Sequence, residues 1–139
     1  MTQGFNAPGV VKPFGIFSSA AWQSEGRVLK ISGHVSQDAK GRNVGQGDME
    51  AQTRQVLENI RGVLACVGGT MDDIVKVTVF VTDLAELKKI HAVRSEYFSQ
   101  PYPASTLVQV AKLIDPEWLI EIEADAVVPE DRIIEPLTV

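Results

Sequence analysis

The sequence predicts an α+β fold: one domain with two helices packed on one face of a mixed β-sheet, in the order β-β-α-β-α-β-β. Three observations predict it. Two segments carry apolar residues at three- and four-residue spacing, the mark of an amphipathic helix. The remaining structured segments alternate with period two and are rich in β-branched residues, as half-buried strands are. The chain has 139 residues, 45% of them hydrophobic, which suffices for one core. The domain is therefore taken as 1–139, with a core over about 15–128 and a C-terminal arm over 129–139.

The first two strands are "GIFSSAAW" and "RVLKISGHVS", joined by "QSEG", a short polar turn that suits a hairpin. A turn, "QDAKGRN", follows. Over 48–67 the pattern becomes helical: Val56, Ile60, Val63 and Val67 form a stripe that Leu57 and Leu64 widen. Asp48 can cap this helix, because its carboxylate can accept a free first-turn N–H, and Gly68 and Gly69 can end it in the left-handed conformation. In "DDIVKVTVFVTD" the valines at 75, 77, 79 and 81 alternate with Lys76, Thr78 and Phe80, giving a strand buried on at least one face. Asp83 then caps a second helix over 84–98, with the stripe Leu84, Leu87, Ile90, His91, Arg94 and Tyr97. The prolines of "QPYPAS" forbid helix, and strands are expected over 107–113 and 119–128.

On the last strand Ile120, Ile122, Ala124 and Ala126 point one way, and Glu121, Glu123 and Asp125 the other. The acidic row is either a solvated sheet face or part of a subunit interface. The thirteen Lys and Arg residues are scattered against eighteen Asp and Glu, for a net charge of −5, so no footprint for nucleic acid is evident. Cys66 is the only cysteine, which excludes an internal disulfide and fits a reducing cytoplasm. Its place in an apolar run suggests an inert buried thiol. No segment reaches the length of apolar sequence a membrane helix needs, and the N-terminus lacks the order of a signal peptide.

Four segments, in this order and spacing, resemble the RidA/YjgF family of enamine and imine deaminases: "KISGHVSQDAKG", "QTRQVLENIRGVLACVGGTMDDIVKVTVFVTDL", "YFSQPYPASTLVQVAKL" and "IEIEADAVV". The resemblance implies a chorismate-mutase-like fold assembled as a homotrimer, with small-molecule clefts between subunits and no metal or organic cofactor. It also implies hydrolysis of intermediates such as 2-aminoacrylate to a keto acid and ammonia. In such deaminases an arginine just after the Pro-Ala of the proline turn grips the substrate carboxylate, and a glutamate near the start of the last strand holds the attacking water.

Here the sequence departs from that pattern. The chain reads Pro103-Ala104-Ser105, and a serine cannot replace the charge or the bidentate fork of a guanidinium. Phe17 stands where the family has tyrosine, and His91 where it has a cleft asparagine. What remains is Ser32 and Gly33 at the substrate-binding strand end, where an absent side chain lets a ligand approach backbone N–H groups, and Glu121 at the water-holding position. Glu121 is read as catalytic, with a plain rim carboxylate as its alternative. His91 is read either as a packing residue or as an acid, base or cation of the cleft. Ser105 and Thr106 form a candidate hydroxyl-lined pocket, and Arg94 a candidate carboxylate clamp, against the ordinary role of a helix arginine in a surface pair. His34 points away from Gly33 and is given a structural or interface role. A site of two histidines and one carboxylate for a metal is not supported by the spacing.

Two classes of function follow. One is a deaminase-type hydrolase of an enamine, imine or related amino-substituted metabolite, with Glu121 orienting water. The other is a non-catalytic trimer that binds a metabolite or a partner protein, motivated by the missing arginine. Ribonuclease activity is a third reading, which the acidic surface disfavours.

Overall fold

In the computed structural model, which describes residues 2–137, six strands and two helices account for the regular structure. The strands are β1 (Gln3–Phe5), β2 (Ala20–Trp22), β3 (Arg27–His34), β4 (Ile74–Val81), β5 (Ala104–Gln109) and β6 (Ile120–Val128), and the helices α1 (Met49–Cys66) and α2 (Leu87–Tyr97). The main sheet has the order β3-β6-β4-β5, antiparallel except for the β4–β5 pair. Parallel neighbours need a crossover, and α2 supplies it. The mixed sheet with two helices is the predicted architecture, with one short strand added in front.

The periodicities place most of the core as expected, although Val93 joins it from outside the expected stripe of the second helix and Leu84 of that stripe is exposed. Val56, Leu57, Ile60 and Leu64 of α1 and Ile90 and Val93 of α2 are buried against Val77, Val79 and Val81 of β4 and Ile120, Ile122, Ala124 and Ala126 of β6. Asp48 caps α1, its carboxylate accepting the N–H of Ala51 at 3.0 Å, and Gly68 ends it at φ 81°. Asp83 caps a 3-10 turn that leads into α2, accepting from Ala85. The other sheet face carries Glu121, Glu123 and Asp125 beside Lys76, Thr78 and Phe80. Here Lys30 pairs with Asp125 at 3.3 Å and Lys76 Nζ donates to Thr106 Oγ1 at 2.8 Å.

Three expectations are corrected. The first two strands do not form a hairpin: β2 pairs with β1, a strand of three residues with no alternation to announce it. The chain is drawn to that place because Thr2 donates to the Asp72 carbonyl from both N and Oγ1, at 2.7 and 2.9 Å. Strand β5 starts three residues earlier than expected and stops at Gln109, because its partner β4 runs from Lys76, opposite Ala104, to Val81, opposite Gln109. Cys66 is exposed, since the buried stripe of α1 runs through positions 57, 60 and 64 and leaves position 66 on the outer side. The expected C-terminal arm after β6 lies against the core. It makes a 3-10 turn (Glu130–Arg132) and docks on the end of α1, where Ile134 donates its N–H to the Val67 carbonyl at 3.1 Å; residues 138 and 139 of the expected arm lie outside the described ones.

The docked segment also covers an acid. Asp73 is 1% exposed, accepts the Thr70 N–H at 2.8 Å and pairs with Arg132 Nη2 at 2.6 Å. Burial alone would raise this carboxyl, but Arg132 and the Thr70 N–H outweigh it and hold the group below its ordinary range. A depressed carboxyl stabilises the fold above its unfolded pKa and loses that contribution as pH falls through the folded value. Arg132→Ala is therefore expected to cost about 1–2 kcal/mol near neutrality, less than for a fully buried pair because the arginine is 38% exposed. The gap should narrow in acid, as the Asp73 carboxyl protonates and the contribution of Arg132 is lost. Urea titrations of both proteins across pH check this.

Candidate functional site

Four of the residues singled out in the sequence meet in one place. Phe17, His91, Arg94 and Ser105 line a cleft of about 330 Å³ between α2, the outer strand β5 and the segment before β2, together with Phe14, Leu84, Leu87 and Leu107. Register explains the composition. Ser105 and Leu107 lie opposite Val77 and Val79, which are core residues, so both turn to the helix side of the sheet. On α2, positions 87, 91 and 94 follow one another at helical spacing and present a leucine, an imidazole and a guanidinium to the same space.

Arg94 is the unusual member. It is 1% exposed, with no carboxylate paired to it among the described residues. Nη2 donates to the Ile16 carbonyl and to Ser105 Oγ, each at 3.1 Å, and Nη1 has no partner. Burial pushes the group down to about 10, which leaves it charged at neutral pH. The surface ion pair expected of a helix arginine is thus absent. His91 has both ring nitrogens buried and unbonded; burial, and secondarily the charge of Arg94, lower its pKa, so the ring is neutral at pH 7. Gly15 lies against that ring, where a Cβ would come within 2.8 Å of His91 Cε1.

Thr106 is elsewhere. Strand alternation turns it to the open face beside Lys76, so Ser105 and Thr106 do not share a pocket. Glu121 and Gly33 form a second cluster on that open face. A bulge interrupts the β3–β6 pairing between Ile31 and His34, which puts exposed Ser32 and Gly33 at the irregular stretch. A Cβ on Gly33 would sit 2.4 Å from Glu121 Oε2, so the glycine makes the room this carboxylate occupies. Glu121 has no hydrogen bond or ion pair among the described residues. His34, past the bulge, pairs with Ile122 and faces the core side, away from Gly33 as expected.

Within one chain the two clusters stand apart. Glu121 lies on β6, two strand spacings or roughly 10 Å from β5, on the opposite sheet face from Ser105. Among the described residues no group of three or more His, Cys, Asp or Glu converges as a metal ion would require. Phe14, Leu84, Leu87 and Leu107 were not foreseen as cleft residues. The signal for two of them was available: Phe14 precedes Phe17 by three residues, and Leu87 precedes His91 by one turn.

Comparison with known proteins fits this geometry. The family model described as Endoribonuclease L-PSP matches residues 7–128. The RutC family protein PH0854 of Pyrococcus horikoshii is 41% identical over 121 residues, which cover 87% of this chain and 91% of that protein. Among solved structures, the Rid-family protein YyfB of Yersinia pestis superposes with a TM-score of 0.84 at 38% identity, over 91% of this chain and 98% of that one. RidA from the Antarctic bacterium Psychrobacter sp. superposes with a TM-score of 0.69 at 31% identity, over 91% and 99%.

Proposed function

The chain belongs to the RidA/YjgF family, and on that premise we propose that it is a small-molecule hydrolase that deaminates an enamine, imine or related amino-substituted metabolite. The observation that carries the proposal is the Gly33–Glu121 pair. A carboxylate with no hydrogen bond or ion pair among the described residues, within electrostatic reach of His34 and seated where a glycine leaves space beside an exposed strand bulge, supports the role of holding a water and taking its proton. An enamine first shifts to its imine. Water then adds to the C=N carbon as Glu121 takes its proton and passes it to the substrate nitrogen. In the resulting carbinolamine Glu121 moves the hydroxyl proton to the nitrogen as the C–N bond breaks, so ammonia leaves, a carbonyl compound remains and the carboxylate is restored.

A single chain does not put Glu121 next to the Arg94 cleft. The reading therefore includes a homotrimer in which copies close over their open sheet faces and each site takes Glu121 from one chain and the α2–β5 cleft from another. Half-exposed Phe80 and exposed Val108 on the open face support such a closure. Incubation with freshly generated 2-aminoacrylate and with bulkier imines, following ammonia and keto acid, tests the proposal. Acceleration that Glu121→Gln removes supports it; no acceleration with any of them defeats it. The substitution of Ser105 for the family's arginine favours a second reading, a binding protein without turnover, and the same incubation would then show ligand retained and unchanged.

A further inference from the structure

We propose that the space between the β1–β2 ribbon and the proline turn is a binding site for an uncharged, planar molecule with an amide edge, an N–H beside a C=O. The inference stands apart from the hydrolase reading and from the α2–β5 cleft. The cavity measures about 430 Å³, within the range of small-molecule pockets. No Asp, Glu, Lys, Arg or His lines it. Phe17 is a wall it shares with the α2–β5 cleft, and Arg94 lines that cleft only.

Three lining side chains have hydrogen-bonding capacity that the protein leaves unused. Ser18 is 7% exposed, and its hydroxyl has no partner among the described residues. Its place is fixed through the backbone: the Ser18 N–H donates to the Pro103 carbonyl at 2.9 Å, and the residue pairs with Ala104 across a parallel bridge. Gly4 leaves room beside the hydroxyl, since a Cβ there would come within 2.5 Å of Ser18 Oγ. The Asn6 carboxamide is oriented by Ser19, whose N–H donates to Oδ1 at 3.0 Å, so Nδ2 keeps both hydrogens to give. Gln100 makes no side-chain hydrogen bond among the described residues. A largely buried hydroxyl without a partner carries a desolvation cost that a ligand atom bonded to it removes.

These groups select the ligand. A carboxamide such as that of Gln100 pairs with an N–H and a C=O in one plane through two parallel hydrogen bonds, as glutamine does with a base edge. Asn6 Nδ2 adds donors for a carbonyl oxygen, and Ser18 Oγ both gives and accepts. An ion would lose hydration here and meet no counter-charge, which disfavours carboxylates and phosphates. Phe5 and Phe17 supply aromatic walls, so a flat ring gains more than a flexible chain. Phe5 is backed by Trp22, stacked at 6.4 Å, and is 43% exposed, which leaves ring surface available. Cyclic amides and aryl amides share this chemistry.

Chemical-shift titration of the full-length protein with 2-pyridone, benzamide, N-methyl-2-pyridone and benzoate tests the site. The first two are expected to bind saturably and to shift the signals of Gly4, Asn6, Ser18 and Gln100. N-methyl-2-pyridone lacks the N–H, and benzoate keeps the shape of benzamide but adds a charge; both should bind at least about tenfold more weakly. Ser18→Ala and Gln100→Glu should each weaken 2-pyridone about three- to tenfold. Neither side chain bonds to the rest of the fold, so both variants are expected to fold. Equal affinity for either analogue, shifts confined to α2 and β5, no saturable binding, or unaltered affinity in either variant would each overturn the proposal. The comparison of the four probes on the unaltered protein stands even if a variant does not fold. Turnover of imines is read in a separate assay, and neither of its outcomes changes this one.

Discussion

Gly33→Ala is expected to abolish most of the turnover while leaving the fold almost untouched. The added Cβ would lie 2.4 Å from Glu121 Oε2, 2.9 Å from Cδ and 3.1 Å from Cγ, so the contact is with the flexible end of one side chain and not with backbone. The glutamate swings aside at small cost. Gly33 does not adopt a positive φ, so the backbone accepts alanine there. The stability change should stay within about 1 kcal/mol. On the proposed mechanism activity depends on where the carboxylate points, and a displacement of about 1 Å at a catalytic group can cost on the order of a hundredfold. The loss should therefore approach that of Glu121→Gln, and the double variant should be little worse than either single one, because both act on the same carboxylate. Melting temperature and kcat/KM measured on the three proteins check this. A Gly33→Ala enzyme that keeps its rate would show that Glu121 is a rim carboxylate.

That test isolates a contact which the sequence could indicate only through family resemblance. The alternation of Ile120, Glu121 and Ile122 shows which sheet face the glutamate takes, because a period of two leaves no choice once Ile120 is buried. It does not show that the β3 bulge brings Gly33 against it, since bulges arise from pairing with another strand. The same limit appears at Ser105 and Thr106. Read along the chain they are adjacent hydroxyls at a proline turn. Paired with Val77 and Thr78 of β4 they are strand residues on opposite faces, one bonded to Arg94 and the other to Lys76. For Arg94 the helix stripe was legible, since position 94 follows 87 and 91, but the burial of its guanidinium depends on β5 and on Ile16, which are distant in sequence. Strand β1 was hidden for a different reason: three residues hold no periodicity, and the site is set by the hydrogen bonds of Thr2 to the Asp72 carbonyl.

The largest effect on stability is expected at Gly68, where two independent costs meet. Gly68 N–H reaches the Ala65 carbonyl and Gly69 N–H the Leu64 carbonyl, at 3.3 and 2.8 Å, the paired bonds that close a helix through a left-handed residue. At φ +81° an L side chain costs about 1 kcal/mol or somewhat more. A Cβ there would also lie 2.0 Å from the Arg132 carbonyl oxygen, which is backbone and cannot turn away as a side chain would. To relieve that clash the segment after β6 must lift. It then loses the Ile134 N–H bond to Val67, the Arg132 bond to the Gly68 carbonyl at 3.2 Å and the pairing that shields Asp73. Gly68→Ala should therefore destabilise the protein by about 2–4 kcal/mol. The two costs separate in a chain shortened after Val128: with the Arg132 carbonyl gone, the same substitution should cost only the backbone part, about 1 kcal/mol. Chemical denaturation of the four proteins measures both steps. An equal penalty with and without the C-terminal segment would mean that the helix end, and not the docked strand of chain beyond it, carries the whole effect.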